Sequence, residues 1–135
     1  MLNKFINFLK NKSIEASSID LESISFNYNG LNYVFTHEKA DPFYFRILLP
    51  RVYKLEDDAQ RWEKFMNDLN WRYRVVKAYE LKEDTNENII WLSFEQYVYT
   101  EDNVNRLFDK AIESLKVVYE AFVEEVKNQN TDFKK

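Results

Sequence analysis

The sequence predicts an α+β fold, with an antiparallel five-stranded sheet and a long C-terminal helix packed on it. Apolar residues recur at steps of three and four along residues 104–126, which is the period of a helix. Upstream, five segments carry the two-residue alternation of strands. Together the elements follow the order α-β-β-β-α-β-β-α, without a linker long enough to divide the chain into domains. Because a single helix cannot bury its own apolar stripe, we expect the C-terminal helix to pack against the sheet.

Length and composition indicate one folded domain. The chain has 135 residues, of which 45% are hydrophobic and 31% charged, the balance of a folded domain rather than a disordered chain. Aromatic residues make up 17%, more than a core of this size needs. Most rings are expected to pack inside with their polar ends reaching water, and some are expected on a contact surface.

Charge and residue usage exclude several classes of protein. The net charge of −4 argues against general nucleic-acid binding, which depends on clustered Lys and Arg. The chain has no cysteine, so disulfides and thiolate chemistry are excluded, which suits a cytoplasmic protein. The first twelve residues lack the continuous apolar core of a signal peptide, and no apolar run is long enough to span a bilayer. We therefore expect a cytoplasmic protein without membrane insertion.

The first element is an amphipathic helix at residues 2–12. Its apolar face consists of Leu2, Phe5, Ile6 and Leu9. We expect this face to dock onto the domain or onto a second subunit. Binding to a membrane surface is the alternative, which the short length and modest charge disfavour. Residues 13–18 lose the pattern and are expected to form a connector.

Two strands, at about 19–28 and 31–38, are predicted to form a hairpin around Asn29-Gly30. This dipeptide supplies the positive φ angles that a two-residue hairpin turn needs, and Gly30 is the only glycine of the chain. The hairpin is therefore the most specific local prediction.

The rest of the chain alternates again between strand and helix patterns. A third strand is expected at 43–49, where Pro50 ends it. Asp57 begins a capping box, and Thr100 can cap the last helix. The remaining predicted elements are a helix at 57–70, strands at 72–82 and 88–99 joined by a polar hairpin loop, and a helix at 101–127.

Catalytic motifs are mostly absent from the sequence. One glycine excludes Gly-rich phosphate loops, and the single histidine, His37, has no serine close in sequence to activate. Paired carboxylates stay possible, because Glu80 and Glu95 are candidate cross-strand neighbours across the last hairpin. The simpler interpretation is that such charges keep a sheet edge soluble. We expect no catalytic residue, no cofactor and no metal site.

A stretch of rings and cations, Trp71-Arg72-Tyr73-Arg74, has the composition of a single-strand nucleic-acid binder. Strand alternation would place its arginines and Tyr73 on opposite faces, and the chain is acidic overall. We therefore expect no nucleic-acid partner.

Alternation along the last two strands places several aromatic residues away from the expected core. If they are exposed, the patch is larger than a monomer normally leaves open, and it should meet a partner or a second subunit. The alternative is that the N-terminal helix covers them. The candidate partner-binding residues are Trp91, Tyr97, Tyr99, Tyr73 and Tyr79.

The element order, the element lengths and the Leu69-Asn70 step before a strand resemble the YbjN-like family and the related type III secretion chaperone-like fold. The resemblance covers residues 2–126. It implies a small acidic cytoplasmic protein, often a homodimer, that binds another polypeptide and holds an extended segment on apolar patches. It implies no site residue, because such contacts are apolar surface rather than a fixed motif. The density of aromatic residues departs from the family.

The sequence therefore predicts a non-catalytic protein-binding module, chaperone-like or regulatory, and not an enzyme. Its partner is expected to be a protein or peptide, bound by aromatic and apolar surface or by adding a strand to a sheet edge. The alternative is a small-molecule-binding protein or a hydrolase that uses carboxylates near the last hairpin.

Overall fold

Helices pack on one face of a six-stranded antiparallel sheet in the computed structural model, which describes residues 2–55, 59–82, 88–98 and 104–133. The described elements are α1 (Leu2–Asn11), β1 (Ala16–Ser18), β2 (Ser23–Tyr28), β3 (Leu31–Thr36), β4 (Tyr44–Leu55), α2 (Ala59–Arg72), β5 (Val76–Lys82), β6 (Asn88–Tyr97) and α3 (Val104–Phe133). The strands lie in the order β1-β2-β3-β4-β6-β5, and each neighbouring pair is antiparallel. The α+β class and the C-terminal helix packed on the sheet are confirmed.

The hairpin of β2 and β3 turns at the predicted dipeptide. Asn29 has a φ of 50° and Gly30 a φ of 84°, and the register pairs Tyr28 with Leu31 on either side of them. Positive φ at both central residues is the geometry that matches the twist of a two-residue hairpin. This turn sets the register of the strands on that side of the sheet.

The prediction of five strands is wrong, because β1 adds a sixth. It lies within the stretch expected to be a connector, and its three residues are all exposed. It pairs with β2, with Ala16 opposite Phe26 and Ser18 opposite Ile24. A strand held by backbone hydrogen bonds alone has no apolar alternation, so the pattern of the sequence does not reveal it.

The prediction that Pro50 ends the third long strand is also wrong, because β4 continues to Leu55. Its register against β6 shifts between Leu49 and Tyr53, and Arg51 lies there at a φ of 57°. Proline donates no hydrogen bond to a ladder and is tolerated at a bulge. The bulge lets β4 continue its pairing with β6 as far as Leu55.

Some predicted features lie outside the described residues. These are the cap residues expected at 57 and 100, the hairpin loop at 83–87, and Tyr99.

The core lies between the helices and the sheet, and aromatic rings fill much of it. Phe5 of α1 is fully buried, and its ring stacks on that of Phe35 with 4.1 Å between centroids. Further rings around it belong to Phe8, Phe26, Phe45 and Phe108. Trp62 of α2 stacks on Phe122 of α3 in the same core. All three described helices therefore occupy the same side of the sheet.

In the described part of the chain, no helix combines the length and the apolar character needed to cross a membrane.

Candidate partner-binding surface

The sheet has a second face, against which none of the described helices packs. Cross-strand partners share a face, so the register defines its members. Across β4 and β6, Tyr44 pairs with Tyr97, Arg46 with Glu95 and Leu48 with Ser93. Across β5 and β6, Lys77 pairs with Ser93 and Tyr79 with Trp91. We call these side chains the open face: Tyr44, Arg46, Leu48, Lys77, Tyr79, Trp91, Ser93, Glu95 and Tyr97.

Three of the residues predicted to bind a partner lie together on the open face. Trp91 and Tyr79 are opposite each other and half-buried, while Tyr97 is 64% exposed. Tyr44 lies beside Tyr97 on this face, with 5.1 Å between the two ring centroids. Since α1 packs on the other side of the sheet, it does not cover these rings.

Tyr73, by contrast, does not lie on the open face. It precedes β5 and packs against the core on the helix side. Alternation from Tyr73 to Tyr79 assumes an unbroken strand, but α2 extends to Arg72 and Val75 has a φ of 58°. This left-handed residue resets the alternation, so the predicted shared face of Tyr73 and Tyr79 is wrong.

The polar centre of the open face is the carboxylate of Glu95. Its Oε2 lies 3.2 Å from Nζ of Lys77, and its Oε1 lies 3.8 Å from Nη1 of Arg46. Nε of Arg46 donates a 2.8 Å hydrogen bond to Oγ1 of Thr36. Burial, followed by the hydrogen bond that its hydroxyl donates to Glu95, raises the pKa of Tyr44 to about 12. The charges of the open face therefore compensate one another beside the aromatic rings.

Two buried donors on the open face have no hydrogen-bond partner among the described residues. They are Nε1 of Trp91 and Oγ of Ser93, and Ser93 is only 1% exposed. A buried polar group without a partner costs about 1–3 kcal/mol. An incoming acceptor would have to move a neighbouring side chain aside to reach either atom. Both donors belong to β6, two residues apart, so one extended ligand could reach both.

The carboxylates considered for catalysis are not neighbours. Glu80 pairs with Ile90, whereas Glu95 lies beside Val75 at the other end of β5. Alternation also places Glu80 on the helix side and Glu95 on the open face. A pair of carboxylates that divides acid and base roles is therefore not formed by these residues.

The edge strand β5 is partly closed by the side chain of Asn70. Its Nδ2 donates a 3.0 Å hydrogen bond to the carbonyl of Ala78, and its Oδ1 accepts a 2.7 Å bond from the Ala78 N–H. The amide group thus occupies the position of a further strand, which blunts this edge against strand addition. The opposite edge is the short strand β1.

On the helix side, an apolar groove lies between β5 and α3. We call it the β5–α3 groove; it encloses about 510 Å³. Its lining consists of Tyr73, Arg74, Val75, Val76, Gln96, Lys110, Glu113, Ser114, Val117 and Val118. Sequence periodicity does not reveal this groove, because its residues come from elements far apart in the chain.

Comparisons with known proteins do not assign the chain to a family. Neither the scan against protein-family models nor the search of curated proteins finds a match. Among the described residues, no group of three His, Asp or Glu side chains is placed to hold a metal ion.

The raised pKa of Tyr44 predicts a loss of stability in alkali. Its pKa is about 12 in the folded chain and 10.0 as the ordinary value. A raised folded pKa stabilises the fold below the ordinary value, and this contribution is lost as the pH rises from about 10 to about 12. We expect the free energy of unfolding to fall less steeply over this range in Tyr44→Phe than in the original chain. Urea unfolding at a series of pH values measures this, and identical slopes would contradict it.

Proposed function

We propose that the chain is a non-catalytic protein-binding module, chaperone-like or regulatory, that holds an extended polypeptide segment on the open face of its sheet. The observation that carries the proposal is the gathering of Tyr44, Tyr79, Trp91 and Tyr97 on a face where no described helix packs. The register places Tyr79 and Trp91 at one end of this face and Tyr44 and Tyr97 at the other, with Ser93 and Glu95 between them. Two pairs of aromatic residues on one uncovered face favour contact with a partner.

The chemistry of the open face suits a polypeptide. Tyrosine, tryptophan and arginine are the residues that most often dominate protein–protein binding energy, and Arg46 lies among the rings. A peptide backbone presents carbonyl oxygens at regular intervals. These could serve Trp91 Nε1 and Ser93 Oγ, which find no acceptor within the described part of the chain. Because Lys77 and Arg46 already pair with Glu95, the open face favours a partner segment that is apolar rather than strongly charged.

Surface contact is a better binding mode here than strand addition. Asn70 already occupies the backbone groups of Ala78 on the outer edge of β5, and β1 offers only three residues at the other edge. The partner is therefore expected to lie across the sheet face rather than to extend the sheet.

The resemblance to YbjN-like and type III secretion chaperone-like proteins supports the same proposal. It is also the basis for proposing a homodimer in the cytoplasm. Light scattering of the purified chain measures the mass, and a monomer at all concentrations would contradict the dimer.

The proposal is tested by substituting one exposed ring. Polypeptides captured from lysate of the native host are purified, and their affinity is measured by calorimetry. Tyr97→Ala is expected to weaken binding by about tenfold, because truncation of an aromatic anchor removes on the order of 1–2 kcal/mol. Tyr97 is largely exposed, so the fold should survive, and circular dichroism checks this.

Trp71→Ala provides the matched control. Trp71 is a large aromatic residue that is 90% exposed, but it belongs to α2 rather than to the open face. We expect Trp71→Ala to bind as the original chain does. Loss of binding in Trp71→Ala with full binding in Tyr97→Ala would contradict the proposal.

A further inference from the structure

We propose that the β5–α3 groove binds a small amphipathic anion, with its apolar body against the valines and its carboxylate beside Arg74 and Lys110. The groove and the open face lie on opposite sides of the sheet. The inference therefore stands independently of the polypeptide-binding proposal.

The size and lining of the groove suit the apolar body of such a ligand. Its volume of about 510 Å³ lies within the range of about 300–1,000 Å³ typical of small-molecule sites. Val75 is 39% exposed and Val117 is 43% exposed. Val75 lines the groove from the α2–β5 connection and Val117 from α3. An aliphatic chain in the groove would remove both from water.

The charges at the groove favour an anionic head group. Arg74 and Lys110 contribute two positive charges and Glu113 one negative charge, a local excess of +1 in a chain whose net charge is −4. Neither cation forms an ion pair with another of the described residues. A carboxylate between them would gain charge-assisted hydrogen bonds.

The backbone at the groove is held in an unfavourable conformation. Val75 has a φ of 58°, which a β-branched residue rarely adopts. Such outliers persist where the surrounding structure imposes them, and they concentrate at ligand sites. Val75 is the last residue of the α2–β5 connection, and its side chain lines the groove.

A peptide is a poorer occupant of this groove. A bound strand would need the outward backbone groups of β5 next to the groove to hold it in register. Asn70 occupies those of Ala78, two residues after Val76. The groove therefore offers side-chain contacts and charge without a backbone ladder, which favours a small molecule.

The test uses decanoate as the probe, below its micelle concentration, with calorimetry and amide NMR shifts as readouts. We expect saturable binding with the largest shifts at Val75 and Val117, and weaker binding of decanol and of decyltrimethylammonium. No saturable binding, or equal binding of the ammonium analogue, would overturn the inference.

Two lysines of α3 supply a matched pair of variants. Lys110→Ala removes a cation of the groove and is expected to weaken decanoate binding about threefold to tenfold. Lys116→Ala removes an exposed cation that does not line the groove, and we expect no change. Equal effects of the two variants would overturn the inference, because they would indicate a general charge effect.

Val117→Glu provides a second variant, because it places a carboxylate at the exposed wall of the groove. We expect it to weaken decanoate binding by at least about tenfold, and unchanged binding would overturn the inference. Tyr97→Ala should leave decanoate binding unchanged, which separates this result from that of the open face.

Discussion

Replacing Phe5 with Ala is expected to lower the free energy of unfolding by about 3–5 kcal/mol. The ring is fully buried and stacks on Phe35, and further rings from β2, β4 and α3 surround it. Truncation would remove the main anchor of α1 and leave a cavity that aromatic neighbours fill only in part. Urea or thermal unfolding followed by circular dichroism measures the loss.

Asn7→Ala is the control for Phe5→Ala, because Asn7 lies on the exposed side of the same helix. We expect its unfolding free energy to stay within about 0.5 kcal/mol of the original. An equally small effect of Phe5→Ala would mean that α1 is not docked in the core. The helix would then be available to cover the open face, and the aromatic residues of that face would need no partner.

Replacing Asn70 with Ala is expected to cost about 1–3 kcal/mol and to promote self-association. The substitution removes both hydrogen bonds to Ala78, which leaves the backbone N–H and carbonyl of an edge strand without partners. An edge strand with unpaired backbone groups is a template for another chain. Urea unfolding measures the stability, and light scattering as a function of concentration measures the association.

Asn67→Ala separates this effect from that of helix propensity. Asn67 is exposed on α2, and the same substitution there gives the same gain in intrinsic propensity. We expect it to be neutral or slightly stabilising. If Asn70→Ala behaves like Asn67→Ala, the amide of Asn70 does not protect the edge of β5.

The parts of the fold that the sequence predicts well are those where one residue type satisfies a narrow requirement. Asn29-Gly30 fixes the hairpin because only such residues adopt positive φ at low cost. The apolar stripe of α3 predicts a helix because it recurs with the helical period, and it predicts packing on the sheet because a single helix cannot bury it.

The parts that sequence patterns miss depend on backbone pairing or on local irregularity. Strand β1 is held by its ladder with β2 and buries none of its side chains. Strand β4 passes Pro50 through a bulge, and Val75 interrupts the alternation before β5. None of these features produces a periodic pattern of apolar residues from which it could be predicted.

The candidate surface could be predicted only in part from the sequence. Periodicity correctly separates Trp91 and Tyr97 from the core residues of β6, but it identifies faces and not neighbours. Tyr44 joins these rings from β4, which only the strand order brings beside β6. The Leu69-Asn70 step is visible in the sequence. The hydrogen bonds of Asn70 to the edge strand β5 depend on tertiary structure and are not.

Binding of a polypeptide on the open face is measured by hydroxyl-radical footprinting of the chain with and without a captured polypeptide, read out residue by residue by mass spectrometry. If the open face binds the partner, oxidation of Tyr97 and Tyr44 falls in the complex while that of the exposed Trp71 stays the same. If Trp71 is protected and Tyr97 is oxidised as in the isolated chain, the partner binds elsewhere and the proposed function of the open face is wrong.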